Sequence, residues 1–163
     1  HKQKDKSMGL FDLWRKKPEH KKAERMTLAD FAYADKQAAG TIMQIPLPSG
    51  DDSGEWLRVV GPYCDQGVTA ARDYARAFTA LRDEMAPLEA ECEGKQDWTR
   101  YKTEMNWRTD ELNDALAAAV VIGWSLDDDF THGNLTELLK QYKGLSTYIA
   151  KHFQESRKAL LEK

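Results

Sequence analysis

The side chains able to do chemistry are few and far apart. The 163-residue chain carries four histidines, His1, His20, His132 and His152, and two cysteines, Cys64 and Cys92. A zinc site needs three or four such ligands at short spacings of the HExxH or CxxC kind, and none of those spacings occurs. His132 follows the run Asp127-Asp128-Asp129, but DDDFTHGNLTEL lacks the alternating ligands and closing glutamate of a calcium loop. There is no GxSxG elbow, no phosphate-cradling GxxxxGK[ST] and no GxGxxG turn. Cys64 has no histidine near it in sequence to activate it as a nucleophile. Glu89, Glu91 and Glu93 sit in one short run beside Gly94 and read as a polar helix end rather than an acid/base pair. No catalysis, no metal and no cofactor is expected.

What the chain does have is packing chemistry, and the elements that would position it are legible. Thr27-Leu28-Ala29-Asp30 reads as a helix start, with Thr27 as cap and Asp30 reaching back, and Gly40 ends that helix. Met43, Ile45 and Leu47 then alternate with Ile42, Gln44 and Pro46, which is strand periodicity, and the prolines suit a strand at a sheet edge. Ser49 to Gly54 is turn chemistry, and Glu55 to Val60 is a second strand, so residues 41–60 are predicted to form a β-hairpin. Asp65 is placed to cap a helix over 67–86 that ends before Pro87, with alanines at 70, 71, 75, 77 and 80 allowing close helix approach. A long helix is expected from Gln96 towards Ile122, its apolar end Ala117–Ile122 buried, with Gly123 left-handed and Trp124 folding back. Thr131 caps a helix over 132–143, ended by Gly144, and a last helix covers 146–161. The fold class is mainly α with one β-hairpin (α+β): an N-terminal helix, the hairpin, then four to five helices.

Length and charge agree with one small domain. At this size roughly 68–70% of the unfolded surface can be buried, and 41% hydrophobic content is enough to do it. Residues 1–25 hold nine Lys/Arg against four Asp/Glu, whereas the remainder is acidic, so the formal net charge of −3 hides a basic arm on an acidic body. The expected division is a basic flexible arm over 1–25, partly upstream or tag residues before Met8-Gly9, and a single mostly helical domain over 26–163. The arm lacks the aromatic interleaving of a nucleic-acid groove, so nucleic acid is not an expected partner. Asp12 and Trp14-Arg15 interrupt its apolar stretch, which argues against a secretory signal. Two distant cysteines suit a reducing compartment.

The order apolar run, Gly-Trp, acidic loop, Phe-Thr, Asn-Leu and two helices, from Leu112 to Phe153, resembles the C-terminal part of the tail assembly chaperones of long-tailed (siphovirus-like) bacteriophages. MTLADFAYADKQAAGTIMQIPLPSGDDSGEWLRVVG, Met26 to Gly61, is similar to the N-terminal helix and hairpin of the same family. The resemblance implies a non-enzymatic protein of the host cell cytoplasm that binds the tape measure protein, recruits tail tube subunits and self-associates, with no membrane contact. The alternatives are a structural virion subunit of the tail or head–tail connector, and a small regulatory protein acting on a host factor.

Amphipathicity nominates the contact residues. Ile45, Leu47, Trp56 and Leu57 on the hairpin are expected to serve self-association. Leu135, Leu139, Tyr142, Ile149 and Phe153 on the last helices are expected to hold the partner. Trp98, Trp107 and Trp124, with Tyr101, are expected mainly in the core, large aromatic side chains being the usual anchors when they are exposed.

Overall fold

The structure, a computed structural model, describes residues 25–161, so the basic arm expected over 1–25 lies, apart from Arg25, outside the described residues. The chain divides into two units, His1–Phe31 and Ala32–Lys163. The described part of the first is a 3-10 turn, Leu28–Phe31. Asp30 reaches back as expected: its Oδ2 accepts from the Thr27 backbone N–H at 2.6 Å and from the Thr27 hydroxyl at 3.0 Å. The single helix expected from Leu28 to Gly40 is instead broken. Ala32 leaves helical geometry at ψ 50°, and α1 (Tyr33–Ala39) starts afresh in the second unit.

In that unit the hairpin forms as read, β1 (Thr41–Pro46) against β2 (Asp52–Val59), with Met43 opposite Leu57 and Gln44 opposite Trp56. Met43, Ile45, Leu57 and Val59 point to one buried face, which is the period of two that the alternation announced. The sheet is nevertheless larger than a hairpin. Helix α3 (Thr99–Val120) stops at Val120, and Val121–Trp124 becomes β3, antiparallel to β2 in the order β1-β2-β3. The apolar end of the predicted helix is therefore a strand. Its β-branched residues Val121 and Ile122 suit either state, and the open edge of β2 decides between them. Gly123 is extended opposite Arg58 rather than a left-handed helix stop. Ser125 prolongs the pairing: its N–H donates to Trp56 O at 3.0 Å, and its Oγ accepts from Trp56 N at 2.8 Å while donating to Glu55.

Helix α2 runs from Asp65 to Lys95, straight through Pro87. Pro87 is exposed, so its missing N–H and ring face solvent, and the continued packing of Met85 and Cys92 outweighs the local break. The cap is Cys64 rather than Asp65, its Sγ accepting from Gly67 N–H at 3.4 Å and donating to Gly61 O at 3.3 Å. Two glycines make this corner possible. A Cβ on Gly61 would stand 1.5 Å from Gln37 Oε1, and one on Gly67 1.9 Å from Gly61 O. Gln37, buried on α1, binds the same corner, its carbonyl accepting from Gly61 N at 2.9 Å. α4 (His132–Gln141) is capped by Thr131 as expected, with Asn134 N–H donating to Thr131 Oγ1 at 3.0 Å, and α5 (Leu145–Leu161) follows.

The main core gathers the inner face of the sheet, the end of α3 at Leu116, Ala117 and Val120, and the apolar stripes of α4 and α5. From α2 it takes Ala70, whereas Leu81, Met85 and Cys92 are buried further along the α2–α3 pair, outside that cluster. The molecule is mainly helical, with a small antiparallel sheet.

Candidate functional site

The nine nominated residues divide by depth. Ile45, Leu57, Leu135, Leu139, Ile149 and Phe153 are all buried within the single chain, brought together in one core. A partner reaches them only if that core opens. Leu47 is exposed, while Trp56 and Tyr142 are half-buried. An apolar stripe marks the face that leaves water, and a core and an interface write the same stripe. Trp107, expected with the core, is 58% exposed on α3.

The Gly-Trp corner and acidic loop are architectural. The Trp124 indole N–H donates to Asp128 O at 2.7 Å, and its ring meets Phe130 edge-on with centroids 5.1 Å apart. Asn134 Nδ2 donates to Asp129 O at 2.8 Å, fastening the loop to α4. The three carboxylates project away from this frame into solvent. Among the described residues no three His, Cys, Asp or Glu side chains come together as metal ligands, and no helix is long and apolar enough to cross a membrane.

Two concavities stand out among the described residues. One is a recess of about 250 Å³ between α2 and α3, walled by Ala70, Ala77, Tyr74, Leu112 and Ala119. The alanines allow the helices together but leave this gap where larger side chains would have closed it. The other is an open groove of about 390 Å³ between β1, the β1–β2 turn and α5. Met43, Gln44 and Pro46 line its strand side, Tyr148, Lys151, His152 and Glu155 its helix side, and Asp51 and Asp52 its end. Two bonds hold the walls: Thr41 Oγ1 lies 2.7 Å from His152 Nε2, and the Tyr142 hydroxyl donates to Pro46 O at 2.6 Å. Half-burial of the His152 imidazole pulls its pKa below 6.5, against the opposing pull of Glu155. No signal in sequence spacing joins β1 to α5, since they lie more than a hundred residues apart. Tyr148 in its wall is exposed, as are Ile42 and Leu47, the chain neighbours of its lining residues Met43 and Pro46.

Comparison with known proteins gives this surface a context. Residues 69–161, more than half of the chain, match the family described as phage tail assembly chaperone. The chain belongs to that family. The match takes in α2 from Thr69, all of α3, β3 and α4, and α5, including the Leu112–Phe153 stretch on which the resemblance was read. The hairpin stretch, Met26–Gly61, lies outside the match, so this chaperone presents its groove between a matched helix and an unmatched strand. No curated protein and no solved structure matches the chain.

Proposed function

We propose that this family member acts in the host cell cytoplasm as a non-enzymatic chaperone that holds the tape measure protein and recruits tail tube subunits to it, associating with itself as it does so. The observation that carries the reading is the open groove between β1 and α5, with half-exposed Tyr148 in its wall and exposed Leu47 next in sequence to its Pro46. A chaperone for a long apolar helix-former needs accessible apolar area that does not disturb its own core, and reversible contacts favour a small patch over a large permanent one. The proposed contact set is exposed Leu47 with half-buried Trp56 and Tyr142, while Ile45, Leu57, Leu135, Leu139, Ile149 and Phe153 form the core against which Tyr142 packs.

Co-expression with the tape measure protein of the same phage tests the reading. The expected result is soluble tape measure protein that co-purifies with the chain and captures tube subunits. An aggregated tape measure protein, with the chaperone alone in the soluble fraction, would overturn it.

A further inference from the structure

The outer edge of β1 is unguarded by charge. β1 stands at the end of the order β1-β2-β3, and its residues Thr41-Ile42-Met43-Gln44-Ile45-Pro46 include no charge. Sheet edges are usually protected by lysines or inward charges, because an open row of N–H and C=O groups invites another strand. The direction of that row is settled by the pairing. The Trp56 backbone N–H and C=O both bond Ser125 on the β3 side, so Gln44, opposite Trp56, is a non-hydrogen-bonded position of the β1–β2 ladder whose backbone groups face outward. Strand alternation turns those of Ile42 outward as well, away from β2.

What lies outside that edge is the groove, with α5 as its far wall. Resting on the reading that the chain holds the tape measure protein, we propose that an extended segment of that partner adds to β1 as a fourth strand, beside α5. Backbone bonds to Ile42 and Gln44 supply the register, and the groove supplies the side-chain preference. Alternate residues of the segment face Met43 and Tyr148, which is half exposed, so they are apolar. At the turn end stand Asp51 and Asp52, which among the described residues pair with no Lys or Arg. Glu155 already has Lys151 4.0 Å away. The groove thus ends in two carboxylates that accept from the Ser49 hydroxyl and the Gly54 N–H but have no ion-pair partner among the described residues. The complementary segment carries a Lys or Arg there.

The test uses the full chain co-expressed with the tape measure protein. Amide exchange of Ile42 and Gln44 is expected to slow at least tenfold in the complex relative to the chain alone. The double variant Asp51→Lys/Asp52→Lys, at the exposed last turn residue and first residue of β2, is expected to weaken co-purification at least tenfold with its circular dichroism unchanged. Gln44→Pro, which removes one outward N–H, is expected to do the same. If the complex forms but β1 stays unprotected and the charge reversal has no effect, strand addition is overturned while the chaperone reading stands. If the tape measure protein is not held at all, both fall. Protection of β1 already present in the isolated chain, with the mass of a dimer, makes the edge a contact between copies and likewise overturns the proposal.

Discussion

At the residue scale, the two kinds of apolar side chain make opposite predictions. Leu57 is fully buried at the centre of the core, so Leu57→Ala is expected to cost about 2–5 kcal/mol in denaturant unfolding. Leu47 is 44% exposed, and Leu47→Ser is expected to leave stability within about 0.5 kcal/mol while reducing co-purification with the partner. A pair of variants that both unfold would place Leu47 in the core with Leu57. His152 adds a pH dependence of definite sign. Burial holds its folded pKa below the ordinary 6.5, so the unfolded chain takes up the proton first. Its contribution is complete above about pH 6.5 and is lost as the pH falls below that towards the folded value. Denaturation midpoints at pH 7.5 and 5.5 are expected to differ less in His152→Gln than in the parent chain. An unchanged difference would mean that other groups carry the dependence. At the surface of α2, Lys95 Nζ lies 2.7 Å from Glu91 and holds that carboxyl below the usual range, an exposed pair of little consequence for stability.

The elements differ in how much their own residues decide. Helix α2 keeps going where its sequence argues for a stop, because Met85 before Pro87 and Cys92 after it are both buried on the α3 side. Pro87→Ala therefore restores a missing backbone bond without touching the packing, and is expected to raise stability by up to about 3 kcal/mol in thermal unfolding. A loss of stability instead would show that α2 needs a bend at that point. The end of α3 behaves in the opposite way: Val121–Trp124 is apolar enough to extend the helix, yet it leaves it for the edge of β2. Val60 N–H, donating to Val120 O at 2.9 Å, ties β2 to α3 at the changeover. The hairpin and the Thr131 cap needed no such help, since turn residues, strand alternation and the hydroxyl are contiguous in sequence.

On the scale of the whole Ala32–Lys163 unit, packing is unevenly distributed. α2 is about 46 Å long at 1.5 Å per residue, and only its start, at Ala70, enters the main core. Further along it relies on Leu81, Met85 and Cys92 against α3, and on surface pairs such as Arg108 with Glu84 at 2.8 Å. Few buried contacts mean low local opening energies. Amides near Cys92 and Trp98 are expected to exchange well before those of Val59 and Val120 in native-state hydrogen exchange. Uniform protection along α2 in the isolated chain would show that something else covers its far end. An arm of this kind, with Trp107 exposed on α3, leaves contact area outside the core without weakening it.

Much of this protein is determined by the chain read alone: a mainly helical class, the hairpin and its register of burial, the Thr131 cap, and the boundaries of the last two helices to within a few residues. All of these rest on signals between residues close in sequence, where the backbone has few choices and side-chain type selects among them. The third strand, the continuation of α2 past Pro87, the Cys64 cap and the groove between β1 and α5 were decided by tertiary structure. The strand and the groove depend on partners tens of residues away, such as Arg58 for Gly123 or His152 for Thr41. The Cys64 cap, whose own bonds reach only Gly61 and Gly67, sits in a corner held by the distant Gln37. The same holds for the contact residues. Local sequence tells that Ile149 and Tyr148 face differently, but whether an apolar face is covered by the chain itself or left for another molecule depends on what folds over it.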